Sequence, residues 1–251
     1  MKLFRLIFHI ARTNIRRILY KFESLKFQKP NIENDNNFKL VPKLRNQGIN
    51  IFKNYHEIDM SAKKILEEFD LIDTKIIDKV VSDKKKIHHK SSYRVYITEM
   101  FNRESLMSLA RSEIIMRNVE QYFGFEPIIR YISVWLDRTN SAYKEGVFTQ
   151  QFHRDYDDQK LVKLFYYLTD VGPDNGPFQF IQGSHKDPWL EFKDYKNNNI
   201  ISAEALKGSL ILADTNGFHR GLKLKDGFRI LVSISYSSHK PKVGFRKDVF
   251  N

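Results

Sequence analysis

The sequence predicts a mainly β domain, an antiparallel sandwich or barrel, preceded by helices. Three observations carry that expectation. From about residue 128 onward the chain breaks into short β-branched or aromatic segments separated by Gly, Pro, Asn or Asp, which is strand-and-turn chemistry. Ahead of that point, apolar residues recur at helical spacing. A length of 251 residues with 41% hydrophobic composition suits one β-rich domain with helical additions, or two small domains, and argues against global disorder.

The elements follow in order. Residues 1–20 read as a basic amphipathic helix, with Leu3, Phe4, Ile7, Ile10, Ala11, Ile15 and Ile18 on one face and Lys2, Arg5, Arg12 and Arg16 opposite. Such a helix either lies on an anionic membrane surface or docks on the protein's own core. Residues 28–50, rich in Asn, Pro and charge, read as a loop or extended linker. Residues 60–81 carry a helical pattern around Ile65, Leu66 and Phe69. The polar run 83–90 reads as a solvated loop, and its neighbours His88 and His89 point in different directions, which makes them poor joint ligands. Residues 104–123 form the clearest second helix, with Gly124 as its stop. Strands are expected at 128–137, 147–153, 161–168, 177–181, 209–213 and 229–236. Residues 1–50 thus divide as helix and linker from a domain spanning 51–251.

Composition removes several function classes. There is no Cys, so disulfides, thiolate nucleophiles and zinc-thiolate sites are excluded. Any metal must be held by His, Asp or Glu. The net charge is +12, and up to residue 45 eleven Lys or Arg face three acids. That bias favours anionic partners. No apolar run is long enough to span a bilayer, and the first twenty residues lack the uninterrupted apolar core of a secretory signal. The expected location is cytoplasmic, with peripheral contact at the inner face of the membrane. No zinc-finger or Gly-rich RNA-binding signature accompanies the charge, so nucleic acid is disfavoured.

The residues that carry chemistry lie in the C-terminal half. In Gln151-Phe152-His153-Arg154-Asp155, the strand period of two puts His153 and Asp155 on one side, able to reach one ion. His219, 66 residues beyond His153, follows the turn-rich stretch Asp214–Phe218 and is the candidate third ligand. Two His and one carboxylate make a facial triad that leaves coordination positions open. Arg229 opens an otherwise apolar strand, and a cation there needs an anionic partner. Its planar fork suits a carboxylate. Lys163, Phe165 and Tyr167 alternate on one side of their strand. That side faces either the interior, which makes Lys163 a second cation for a bound carboxylate, or solvent. Asp157 and Asp158 either touch substrate or solvate a loop, and Trp135 and Tyr143 either line a mouth or belong to the core.

From about 130 to 236 the sequence resembles the phytanoyl-CoA dioxygenase family of Fe(II)/2-oxoglutarate oxygenases. The blocks HRDYDDQKLVKLFYYLTDVGPDNGPFQFIQGSHK, GSLILADTNGFHRG and GFRILVSISY carry the likeness. The resemblance implies a double-stranded β-helix, a jelly roll of cupin type. It implies Fe(II) held by His153, Asp155 and His219, and Arg229 paired with the distal carboxylate of 2-oxoglutarate; the strand alternation above puts Lys163 and Phe165 beside that cosubstrate where their side faces the interior. It implies a dioxygenase that consumes O2, draws on ascorbate as reductant and hydroxylates a C–H bond of a small-molecule, lipid-linked or sugar-linked metabolite. In the same pattern His185, within Gly183-Ser184-His185-Lys186, belongs to a structural loop. One departure stands out: relatives often place a hydroxyl two residues after the Arg, where this chain has Leu231 and its first Ser is Ser233. The other readings are a non-catalytic cupin-like binding module, a cupin-type hydrolase or isomerase, and a basic membrane- or nucleic-acid-associated protein.

Overall fold

The computed structural model describes residues 40–82, 93–139, 148–155, 158, 160–187, 190–195, 199–238 and 250. The basic segment 1–20, His88, His89, Tyr143 and Asp157 lie outside the described residues. Five helices are described: α1 (Leu40–Gln47), α2 (Met60–Asp70), α3 (Thr74–Ser82), α4 (Arg103–Ala110) and α5 (Glu113–Phe123). Nine strands accompany them: β1 (Ile49–Phe52), β2 (Arg94–Tyr96), β3 (Ile128–Arg138), β4 (Leu161–Tyr167), β5 (Phe178–Ile181), β6 (Ile200–Ala203), β7 (Leu210–Asp214), β8 (His219–Gly221) and β9 (Phe228–Ser237). None of the described helices is long and apolar enough to cross a membrane.

The strands form two antiparallel sheets. The larger has the order β1-β7-β4-β9-β3-β2, and the smaller β6-β5-β8. Side chains alternate across each strand, so the large sheet serves two cores. One face, with Val134, Leu136, Leu164, Tyr166, Leu212 and Val232, packs against Ile65, Leu106, Leu109 and Val119 of the helices. Two tyrosines fasten this layer, Tyr166 donating to Ala62 O at 3.0 Å and Tyr236 to Ala110 O at 2.9 Å. The other face, with Trp135, Phe165, Tyr167, Ile211, Ala213 and Leu231, meets Phe178, Phe180 and Ala203 of the small sheet. Fully burying a Phe, Leu or Ile side chain contributes about 1.5–3 kcal/mol, so this inner cluster holds the two sheets together. The architecture is a double-stranded β-helix, or jelly roll, with helices on its outside.

Four of the expected elements differ in the structure, and strands β2, β6 and β8 form where none was expected. Residues 40–50 are not linker: α1 forms there and β1 begins there, pairing with β7 in the large sheet. Gly48, at φ +83°, makes the turn between them, and a side chain there would collide with His185 and Phe180. The 60–81 helix is two helices, because Asp73 caps the second by accepting from Lys75 N at 2.9 Å. The 104–123 helix is also two. Ser112 starts the second, and its hydroxyl donates to the buried Asp59, which itself caps α2 through Ser61 N and Ala62 N. The expected 147–153 strand is a 3-10 turn at Phe148–Gln150 followed by a single bridge from His153 to His219.

Candidate metal centre

That bridge builds the site. His153 N donates to His219 O at 3.0 Å and His219 N to His153 O at 2.9 Å, while Asp155 N donates to Thr215 O at 2.8 Å. The segment ending at Asp155 is therefore stitched to the turn before β8 and to the first residue of β8. Alternation then points His153 and Asp155 to one side, where His219 meets them. The three side chains offer ligand atoms that all lie within 4.8 Å of one another. His153 Nε2 is 3.9 Å from Asp155 Oδ1, His219 Nε2 is 3.6 Å from Asp155 Oδ2, and the two imidazole centroids are 4.3 Å apart.

The imidazoles are held in the tautomer a metal needs. His153 Nδ1 lies 2.8 Å from Gln151 O and His219 Nδ1 lies 3.0 Å from Gly217 O. A carbonyl only accepts, so each Nδ1 carries the hydrogen and each Nε2 turns its lone pair to the common space. Burial holds the His219 imidazole neutral, its pKa pushed down to about 4, with His153 and Lys163 adding to the effect and Asp155 opposing it. Burial is the largest single influence and would raise the Asp155 carboxyl, but Lys163, His219 and His153 together outweigh it, and the group is held well below the usual carboxylate range. Two imidazole nitrogens and one ionised carboxylate are the donor set of a non-haem iron facial triad.

Lys163 does face the barrel interior, and its ammonium sits 2.7 Å from Asp155 Oδ2, beside the Tyr131 ring at 5.6 Å. Burial would lower this ammonium, yet Asp155 and Tyr131 hold it protonated and raised. It is committed to a candidate ligand, not directed at Arg229. Phe165 packs between Trp135 at 6.3 Å and Phe178 at 4.8 Å. Phe178 in turn stacks on His219 at 5.6 Å, so Phe165 meets the centre through Phe178.

Arg229 stands at the other end of the interior. Its Nη2 donates to Asp137 Oδ2 at 2.5 Å and its Nη1 to Gly176 O. Asp137 also takes both nitrogens of the Arg94 fork, Nε at 2.6 Å and Nη2 at 3.0 Å, and the Arg94 guanidinium lies 3.9 Å over Trp135. Burial would raise the Asp137 carboxyl, but Arg94 and Arg229 outweigh it and the group stays ionised. Two guanidiniums share one carboxylate, leaving one net positive charge for an incoming anion. Gly221 makes room beside it: a Cβ there would sit 3.3 Å from Arg229 Nη2. Gly221 is two residues from His219 on the same face of β8, about 7 Å along the strand.

Other residues fall outside the centre. His185 turns its Nε2 to Arg45 O at 3.0 Å, joining its loop to the end of α1. Asp158 accepts from Ser238 Oγ at 2.9 Å. Trp135 is buried under Arg94, a core position at the edge of the interior. Sequence reasoning passed over Asp137, Arg94, Arg154 and Gly221. Asp137 carried a signal, a carboxylate directly after the mostly apolar run Ile132–Leu136 that needs a cation. Arg94 and Gly221 carried none.

The phytanoyl-CoA dioxygenase family model matches residues 58–225, a span that contains all three candidate ligands and stops short of Arg229. Searched by sequence, curated proteins give no significant match. Among solved structures, the non-heme α-ketoglutarate-dependent epimerase SnoN from nogalamycin biosynthesis superposes with a TM-score of 0.58 at 16% identity, covering 79% of this chain and 80% of that one. HygX from Streptomyces hygroscopicus, solved with nickel and 2-oxoglutarate, gives 0.53 at 14% identity, covering 77% and 84%. EctD from S. alaskensis, with bound Fe, gives 0.55 at 15% identity, covering 87% and 83%. At these identities the likeness is one of fold.

Proposed function

The chain belongs to the phytanoyl-CoA dioxygenase family, and on that premise we propose that it is an Fe(II)- and 2-oxoglutarate-dependent dioxygenase. It hydroxylates a C–H bond of a small-molecule, lipid-linked or sugar-linked metabolite, converting 2-oxoglutarate and O2 to succinate and CO2. The observation that carries the reading is the convergence of His153, Asp155 and His219, whose ligand atoms all lie within 4.8 Å of one another.

The chain's own groups do the positioning. His153 and His219 present Nε2, fixed by the carbonyls of Gln151 and Gly217, and Asp155 supplies the carboxylate, held ionised by Lys163. Arg229, oriented by Asp137 and Gly176 O, receives the distal carboxylate of the cosubstrate. Phe178 and Phe165 keep the wall beside His219 apolar and exclude water from it. Bound iron supplies the redox chemistry that couples decarboxylation of 2-oxoglutarate to oxidation of the substrate, and ascorbate keeps it reduced between turnovers. The absent hydroxyl at Leu231 is offset by Arg94, which shares Asp137 with Arg229 and adds a second cation to the same end.

A second reading differs only in the outcome at the substrate. The similar structures include an epimerase and a carbocyclase by their own descriptions, so attack on a C–H bond without oxygen transfer fits the same residues. The test is anaerobic loading with Fe(II) and 2-oxoglutarate, then exposure to O2 with metabolite and lipid extracts. Succinate release with a product heavier by one oxygen atom supports the hydroxylase. A product of unchanged mass or two hydrogens lighter supports the second reading.

A further inference from the structure

The residue between the two sequence-adjacent ligands points the opposite way. Strand alternation sends His153 and Asp155 into the site and Arg154 out behind it. Arg154 is nonetheless 5% exposed. Its Nη1 donates to Ser184 O at 2.8 Å and Asn216 O at 2.7 Å, and its Nη2 to Asp187 O at 3.1 Å and Leu190 O at 3.2 Å. The guanidinium also lies 4.1 Å over the Phe218 ring.

These contacts converge on the residue that carries the third ligand. Asn216 and Phe218 belong to the turn that delivers His219. Ser184, whose carbonyl Arg154 holds, accepts from Phe218 N through its own Oγ at 2.7 Å. Three routes therefore tie Arg154 to the approach of His219: the Asn216 carbonyl, the Phe218 ring, and Ser184 to Phe218 N. On its own chain Arg154 is bonded to His153 and Asp155. A single side chain thus joins the His-x-Asp segment to the His219 segment from behind, while the donors face forward.

We propose that Arg154 is a positioning residue that sets the spacing of the three metal-ligating side chains. The proposal rests on the metal reading above and adds a role to a position that looks like an exposed charge in the sequence. A planar guanidinium serves four carbonyls in fixed directions, which an ammonium cannot do. Residues behind a metal's ligands typically change affinity by about 10–100-fold when lost.

Ni(II) titration of the metal-free full chain, with its melting temperature measured in parallel, tests this. Arg154→Lys and Arg154→Gln should weaken Ni(II) binding by about tenfold or more, with the Gln variant the weaker, and should alter the Co(II) absorption spectrum. A purely structural role would lower the melting temperature and leave the affinity and spectrum of the folded protein alone. Ser184→Ala keeps the guanidinium and breaks only the bond to Phe218 N, so it should weaken binding by a smaller factor. It decides the matter if both Arg154 variants fail to fold. Affinities equal to wild type in the folded variants overturn the role of Arg154 and leave the metal reading intact. A wild-type chain that binds neither Ni(II) nor Co(II) overturns the metal reading itself.

Discussion

Asp137 and Arg229 face each other across the β3–β9 ladder, directly in register, with carboxylate and guanidinium 2.5 Å apart and both side chains buried. Arg94 reaches the same carboxylate from β2. Removing the shared anion leaves the buried Arg229 and the half-buried Arg94 uncompensated. Asp137→Asn should therefore destabilise the fold by about 3–5 kcal/mol, the usual penalty for breaking a buried pair. Because folding depresses the Asp137 pKa, its contribution is present above the unfolded value of about 3.9 and is lost as pH falls through the folded one. Urea melts between pH 7 and pH 3 should show the wild type losing stability in acid, and Asp137→Asn starting lower with a shallower loss. Equal stability of the two proteins at pH 7 would contradict the cluster.

Arg229 and Gly221 should control cosubstrate affinity without touching the metal. Arg229→Ala removes a charge-assisted partner worth about 1.5–3 kcal/mol, or roughly tenfold to a hundredfold in 2-oxoglutarate affinity. Arg229→Lys should recover part of it, since the fork is gone. Gly221→Val places a branched side chain against Arg229 Nη2 and should weaken 2-oxoglutarate binding in the same direction. Isothermal titration with 2-oxoglutarate on the Ni(II)-loaded variants reads both. Unchanged affinity in Arg229→Ala would move the carboxylate to another cation, with Arg94 the nearest on the same cluster.

How much of this was legible in the sequence depends on the range of the interactions involved. His153 and Asp155 are two residues apart, and a period of two puts them on one side with no knowledge of the rest of the fold. The row Lys163, Phe165 and Tyr167 was visible for the same reason, but its burial and the attachment of Lys163 to Asp155 come from the packing of β4 between β7 and β9. Strand β8 has three residues and no apolar run, so it exists only because β5 and His153 pair with it. Strand β1 escaped notice because its Asn-rich surroundings read as linker, whereas its pairing partner β7 lies some 160 residues away. Asp137 and Arg229 are 92 positions apart, and only the register of two long strands reveals that they meet. Arg154 was passed over because a charge between two ligands gives no hint of the four carbonyls behind it.

The basic amphipathic segment 1–20 is proposed to place the enzyme on an anionic membrane, near lipid-linked or envelope-glycan substrates. Arg5, Arg12 and Arg16 each contribute about 1 kcal/mol at such a surface, and Phe4, Ile7 and Ile10 add apolar insertion. The full chain should co-sediment with anionic vesicles, ignore neutral ones and release with added salt. A chain starting after Tyr20 should stay in solution. If the full chain ignores both vesicle types, the segment docks on the protein instead.

The central claim is that His153, Asp155 and His219 hold a ferrous ion to which 2-oxoglutarate binds as a bidentate ligand. Anaerobic protein mixed with Fe(II) and 2-oxoglutarate reports on this directly, through the weak visible charge-transfer band of a bidentate 2-oxo acid on iron. The wild type should show the band, and His153→Ala, Asp155→Ala and His219→Ala should each abolish it by removing a ligand. A wild type without the band, or the band undiminished in His153→Ala and Asp155→Ala, would contradict the account.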